Sequence, residues 1–280
     1  MTTNLSKLLA VAAGSFLFLA VPSAHAGRGS NLSRVTSAVA SGGSLTIRAE
    51  LEQAERLLCP GCVTVIEPLL RDDRYEVREV AAWWFARRPA EKKALTEQSI
   101  TALQGGDTVA VRNAADIVGT FRHPVAVPAL NAAYARSGLG AEARLAIVRA
   151  LGTIGVQGGN ATLQAAMADT DAGVRYQALV SWQAIRQQAN AQPALPLIGD
   201  ADVNVRRKAA AVVGGFRDAG GRAALETVLL NDSDPVVRRN AAWALGRIGD
   251  VASTDALVQA ASDPSPLVRL TARAARRQLR

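Results

Sequence analysis

The sequence predicts an all-α fold, a right-handed αα superhelix of about seven helical hairpins. Three observations carry that prediction. A basic residue, a pair of small residues and a small terminator recur seven times from Arg78 onward. The terminators Ala86, Gly119, Gly152, Gln183, Gly214, Gly246 and the equivalent Arg277 are 33, 33, 31, 31, 32 and 31 residues apart, which is a solenoid period. Low aromatic content, 4%, beside abundant alanine suits helix packed on helix.

In chain order, Lys7, a run from Leu8 to Val21, Pro22 and the site Ala24-His25-Ala26 read as a secretory signal over residues 1–26, cleaved after Ala26. The run is shorter than the roughly 18–20 apolar residues of a membrane span, and no later segment approaches that length. A periplasmic or secreted protein is expected, without stable membrane insertion after cleavage. Residues 27–62 should be a flexible segment and then a capping helix with Ile47, Leu51, Ala54 and Leu58 on one side. That helix ends in Cys59-Pro60-Gly61-Cys62, the only cysteines of the chain. An oxidising compartment favours a short disulfide that clips the cap to the array, with a redox-active pair and half of a metal shell as competing chemistries. No histidine follows Cys62, so covalent haem attachment is excluded on motif grounds.

Residues 63–280 form the array. In the sixth repeat, Ala224, Leu225, Val228 and Leu229 recur at helical spacing and define a first helix. Asn231-Asp232-Ser233-Asp234-Pro235 ends it: Asp234 can accept from the opening amides of the next helix, and Pro235 suits its first turn. The second helix runs from Val236 to Ile248, buries Val237, Ala241, Ala242 and Leu245, and closes at Gly249. Neither helix buries its stripe alone, so neighbouring hairpins must stack. Acids recur in the turns at Asp72, Asp169, Asp200, Asp232 and Asp263, with a second set at Asp107, Asp171, Asp202 and Asp234. Arg78, Arg144, Arg175, Arg206, Arg238 and Arg269 stand eight residues before their terminators, which suggests a ladder of arginines bonded to turn carboxylates or carbonyls of the adjacent repeat.

The segment from Asp232 to Asp250, Asp-Ser-Asp-Pro-Val-Val-Arg-Arg-Asn-Ala-Ala-Trp-Ala-Leu-Gly-Arg-Ile-Gly-Asp, resembles a HEAT-like repeat of the phycocyanobilin lyase type. The resemblance spans about Val63 to Arg280 and implies a HEAT-like solenoid. Its members include bilin lyases, a di-iron hydroxylase and many scaffolds. The hydroxylase branch binds iron through His-Glu dipeptides, of which this chain has none. His25 belongs to the signal, and His123 precedes Pro124 in a turn. A bilin lyase meets its substrate in the cytoplasm, at odds with export, so tetrapyrrole binding is the lesser alternative. No cofactor and no metal are expected.

Departures from the pattern mark irregular packing. The third repeat lacks turn acids over Ser137–Glu142, and the fourth ends in Gln183 after Trp182. In the seventh, Arg273, Arg276 and Arg277 replace Ala, Leu and Gly, as a capping unit with a polar outer face would.

In arrays of this type the second helices line the concave side. Helical projection places Trp83, Arg87, Arg112, Asn113, Arg149, Tyr176, Arg207, Arg239, Asn240, Trp243 and Arg247 on that surface. Exposed tryptophan beside arginine has the composition of a binding hot spot, and the excess of cations predicts an acidic or polar partner. The net charge of +8 is concentrated at the C-terminal end, where residues 269–280 hold five arginines and no acid, so nucleic acid is not expected. The sequence thus reads as an exported scaffold or adaptor that binds a protein or extended peptide without catalysis. The alternative is a thiol-disulfide protein using Cys59 and Cys62.

Overall fold

A computed structural model describes residues 30–56 and 59–279. The signal segment, Leu58 and Arg280 lie outside the described residues. Helices joined by short turns make up the described residues, which contain no strand. Seven hairpins follow the period. They are α3 (Pro60–Ile66), extended by a 3₁₀ turn (Glu67–Arg71), with α4 (Tyr75–Phe85); α5 (Pro89–Gly105) with α6 (Thr108–Thr120); and α7 (Val127–Tyr134) with α8 (Ala141–Ile154). After these come α9 (Asn160–Ala166) with α10 (Ala172–Ala184), and a 3₁₀ helix (Gln192–Gly199) with α11 (Val203–Phe216). The last two are α12 (Arg222–Asn231) with α13 (Pro235–Ile248), and α14 (Thr254–Ala260) with α15 (Pro266–Arg276).

The segment ahead of Cys59 differs from the expected flexible stretch and single capping helix. It holds two helices, α1 (Leu32–Ser41) and α2 (Ser44–Gln53), joined through Gly42 at φ 68°. The expected stripe breaks because the chain leaves α2 at Ala54, before Leu58. Asn31 caps α1 by accepting from the Arg34 amide. Bonds one period long tie the pair to the array: Trp84 Nε1 to the Ala54 carbonyl at 3.0 Å, Arg74 Nη1 to the Gly42 carbonyl at 2.6 Å, and Arg87 Nε to Glu55 at 2.6 Å. The pair is therefore an additional hairpin, stacked where a first repeat belongs.

The arginine ladder exists, and its geometry is more specific than the sequence implied. Arg175 Nη1 donates to the carbonyls of Asp169 and Thr170, six and five residues earlier in its own turn, at 2.8 and 3.1 Å. Its Nε and Nη2 clasp Asp200 of the next turn at 2.7 and 2.8 Å. Arg206 holds Asp232 in the same way, and Arg238 holds Asp263. Arg144 holds Asp169 and takes the Leu139 carbonyl. Each clasped carboxylate also accepts the amide two residues on, at Asp171, Asp202, Asp234 and Ser265, so one side chain closes its turn and receives the neighbouring hairpin. The second acid set caps α6, α10, α11 and α13.

Small terminators exist because successive second helices touch there. A Cβ on Gly246 would stand 2.7 Å from Ala275 Cα, and one on Gly214 would stand 2.7 Å from Ala244 Cα. Gln183 escapes this constraint because it is exposed beside the irregular hairpin that follows. There Pro193 and Pro196 remove two amides, so the first helix winds as a 3₁₀ helix.

The buried apolar residues form two clusters. One runs from Leu103 to Ala275 through the last six hairpins, and the other holds α1–α4 together with Ile117 and Phe121. Helix α6 stands between them and is buried from Val111 to Gly119. The ladder is interrupted at the same place. Gly105 stands where the next turn would place the clasped aspartate, and Arg78 instead clasps Asp116 of α6 at 2.9 and 2.7 Å, with both side chains almost fully buried.

Two tests follow from the ladder and the terminators. Replacing Asp200 by Ala leaves the Arg175 fork and the Asp202 amide without their acceptor, so it should cost about 2–4 kcal/mol and lower Tm by several degrees in thermal melts. Gly246→Val forces α13 from α15 and should cost about 2–3 kcal/mol. A third test concerns acid. The Arg238 bond outweighs desolvation and holds the Asp263 carboxyl low; the Arg207 bond, with two amide donors, holds Asp234 at about 2. At Asp169 and Asp200 burial pushes upward, but bonds from Arg144 and Arg175 and the turn amides prevail, so both also end low. Carboxyls depressed in the folded chain contribute fully above the unfolded value of ~3.9 and lose that contribution as pH falls toward ~2. Tm should be level from about pH 5 to 7 and drop below about pH 4, less steeply in Asp200→Asn.

Candidate partner-binding groove

The inner faces of α2, α4, α6 and α8 enclose a groove of about 600 Å³ at the junction of the two cores. Its floor is a charged network. Asp116 receives Arg78 on one oxygen and Arg149 Nη2 on the other at 2.6 Å. The Arg149 guanidinium lies 3.6 Å from the centroid of the Tyr75 ring, a cation–π contact. Tyr75 donates to Glu79 at 3.2 Å, and Arg48 meets the other Glu79 oxygen at 2.9 Å. Burial, opposed by Arg149 and aided by Glu79, pushes the Tyr75 phenol up to about 12, so it stays a neutral donor. At the N-terminal rim Arg87 stacks on Trp83 at 3.9 Å while paired with Glu55.

Other cations of the groove have no carboxylate among the described residues. Lys92 sits 5.7 Å from the Phe121 ring centroid, and Arg122 is exposed in the left-handed region at φ 50°. Arg122, Arg149 and Thr153 continue into a second depression of about 460 Å³, lined further by Gln177, Ser181 and exposed Arg186 of the next hairpin. The result is a channel across consecutive second helices, with an aromatic and neutralised N-terminal end and cations farther along.

The structure brings together Trp83, Arg87 and Arg149 of the residues expected on this face. It corrects two others. Arg112 and Asn113 are buried at 7% exposure each, with Arg112 bonded to Asn113, Glu142 and Asp73. The slip that moves the basic residue to Arg112 places it in the stretch of α6 from Val111 to Gly119 that is buried all round between the two cores. Tyr176 is exposed but lines a separate shallow depression with Asp202 and Asn204. Farther along, Arg207 pairs with Asp234, and Asn240 donates to the Arg207 carbonyl at 2.8 Å. Trp243 is 40% exposed with Arg247 5.9 Å from its ring, and the Nε atoms of Arg239 and Arg247 are buried without a hydrogen-bond partner. Sequence reasoning missed Tyr75, Lys92, Arg122 and Arg186. Arg122 and Arg186 lie beyond the helix terminators, outside any helical projection.

Cys59 and Cys62 pair with Cα atoms 5.2 Å apart, Cys59 capping α3 and Cys62 fully buried in the N-terminal core. His123 stands at the 3₁₀ turn Pro124–Ala126, with its Nδ1 buried and without a hydrogen-bond partner.

Comparison with known proteins bears on the fold. A family model described as HEAT repeats matches residues 191–276. No curated protein matches the sequence. Among solved structures, YibA of E. coli superposes with a TM-score of 0.58 at 14% identity, covering 88% of this chain and 92% of that one. Kap95p, solved in a study of its binding to RanGDP, superposes with a TM-score of 0.52 at 13% identity, covering 86% of this chain and 40% of Kap95p. The CpcE–CpcF complex of phycocyanin lyase from Nostoc sp. aligns at 16% identity over 92% of this chain and 97% of that one, with a TM-score of 0.40. In fold the chain is a HEAT-type helical-repeat solenoid, and residues 191–276 match HEAT repeats by sequence as well.

Proposed function

We propose that this protein is an exported, non-catalytic scaffold that holds an acidic or polar extended segment of a partner protein in the groove spanning α2 to α10. The observation that carries the reading is the row Lys92, Arg122 and Arg186, cations without a carboxylate among the described residues, beside the aromatic rim at Trp83. Cations without a carboxylate flanking an aromatic anchor suit a partner that supplies both acid and apolar side chains. The HEAT-type fold supports a binding role, and Kap95p, of like fold, binds RanGDP. The test is recovery of the partner on immobilised protein. A triple variant Lys92→Glu, Arg122→Glu, Arg186→Glu should lose about tenfold or more in affinity, with unchanged helicity by circular dichroism. Equal recovery by variant and wild type would rule the groove out.

Export is inferred from residues 1–26, and intact-mass analysis of protein from the native host should find Gly27 at the mature N-terminus. Retention of Met1 would refute it. In an oxidising compartment Cys59 and Cys62 serve as a clip that closes the first turn of α3, and Cys62 sits in the core with Val35 and Ile66. Replacing both by Ser should cost about 2 kcal/mol with no change in thiol exchange. Measurable insulin reduction by wild type, lost in the variant with Tm unchanged, would favour the thiol-disulfide alternative.

A further inference from the structure

The ladder ends at Arg269 with its geometry complete on one side only. Arg269 Nη1 donates to the carbonyls of Asp263 and Pro264 at 2.8 and 2.9 Å, just as Arg238 Nη1 donates to those of Asp232 and Ser233. In Arg144, Arg175, Arg206 and Arg238 this clasp leaves Nε and Nη2 facing a carboxylate 25 or 26 residues downstream, held at 2.7–3.2 Å. The same two atoms of Arg269 have no carboxylate among the described residues. Residues 1–29, 57, 58 and 280 of the sequence contain no Asp or Glu either.

The helix that carries this fork, α15, also exposes Leu267 and Leu270, at 50% and 64%. Its outer surface carries Arg273, Arg276 and Arg277, and residues 266–280 hold no acid. We propose that Arg269, Leu267 and Leu270 form a second docking site at the C-terminal end of the array. Its occupant is an extended acidic segment of a partner protein, with an Asp or Glu adjacent to an apolar residue. The carboxylate takes the bidentate place that turn aspartates occupy elsewhere, and the apolar residue covers the two leucines.

Two other occupants match what the end presents less well. A further stacked hairpin would meet Arg277 at the position where Gly246 lets α15 approach, and Arg273 where Ala242 is. A second copy docked tail to tail would oppose two acid-free arginine clusters. Docked head to tail, it would offer the α1–α2 turn, Gly42-Gly43, which holds no aspartate.

The probe is a fluorescein-labelled dodecapeptide of alternating Asp and Leu, titrated by anisotropy into the full chain. The side-chain Nε–H resonance of Arg269 is followed by NMR. Binding should move that resonance, and Arg269→Lys, which keeps the charge but removes the fork, should weaken affinity roughly tenfold or more. Leu270→Ser, which leaves the turn intact, should weaken it several-fold, and an Asn–Leu peptide should not bind. Equal affinity in wild type and Arg269→Lys, or a still Arg269 resonance at saturation, overturns the proposal. Both outcomes are independent of the N-terminal groove, because the triple variant of Lys92, Arg122 and Arg186 should keep the Arg269 response in full.

Discussion

One guanidinium in two hydrogen-bonding roles sets the geometry of this molecule. Burial of alanine, valine and leucine supplies the driving force for stacking, but that force is non-directional and tolerates sliding. The ladder arginine removes the tolerance. Two carbonyls of its own turn fix the plane of the guanidinium, and the fixed plane presents a fork to the aspartate of the next turn. The same aspartate closes its own turn through a backbone amide, so the spacing of neighbouring hairpins and the shape of the turn are specified by one contact. Close helix approach at Gly214 and Gly246 is the complementary constraint, since a fork of fixed reach needs helices at fixed separation.

Where the ladder lapses, features useful for binding appear. The turn between α5 and α6 offers no clasped aspartate, so Arg78 reaches across to Asp116, and Asp116 in turn draws in Arg149. Such a pair is costly to desolvate and holds because all three guanidinium nitrogens of Arg78 and both oxygens of Asp116 are hydrogen-bonded. The groove opens on the inner side of this junction. On the opposite side Leu70, Leu95, Ala102 and Ile117 line a shallower cleft of about 300 Å³. Regular repeats leave little concavity of their own, and the irregular joint makes room.

Much of the architecture was legible because it is written in residue types that can do little else. Terminal glycines at a fixed period, Asp-Pro at a helix start and the arginine eight residues before each terminator all mark geometry. The α1–α2 hairpin was illegible for the converse reason: it lacks both ladder arginine and turn aspartate, and only its bonds across one period reveal it. The groove was partly legible. Trp83, Arg87 and Arg149 obey the helical phase, whereas Arg112 and Asn113 obey it in sequence but lie on a helix enclosed from both sides. Arg122 and Arg186 escaped because they leave the helix, Arg122 with positive φ, and phase arithmetic stops at the last helical residue.

Division of the interior into two oily bodies that share α6 gives the stack an uneven mechanical character. Tension applied between its ends would be resisted along the last six hairpins by continuous packing, and at the shared helix mainly by ionic contacts and a few side chains such as Ile117 and Phe121. A peptide laid in the channel touches both sides of that weak joint. It would act as a splint, making the rod stiffer when loaded than when bare.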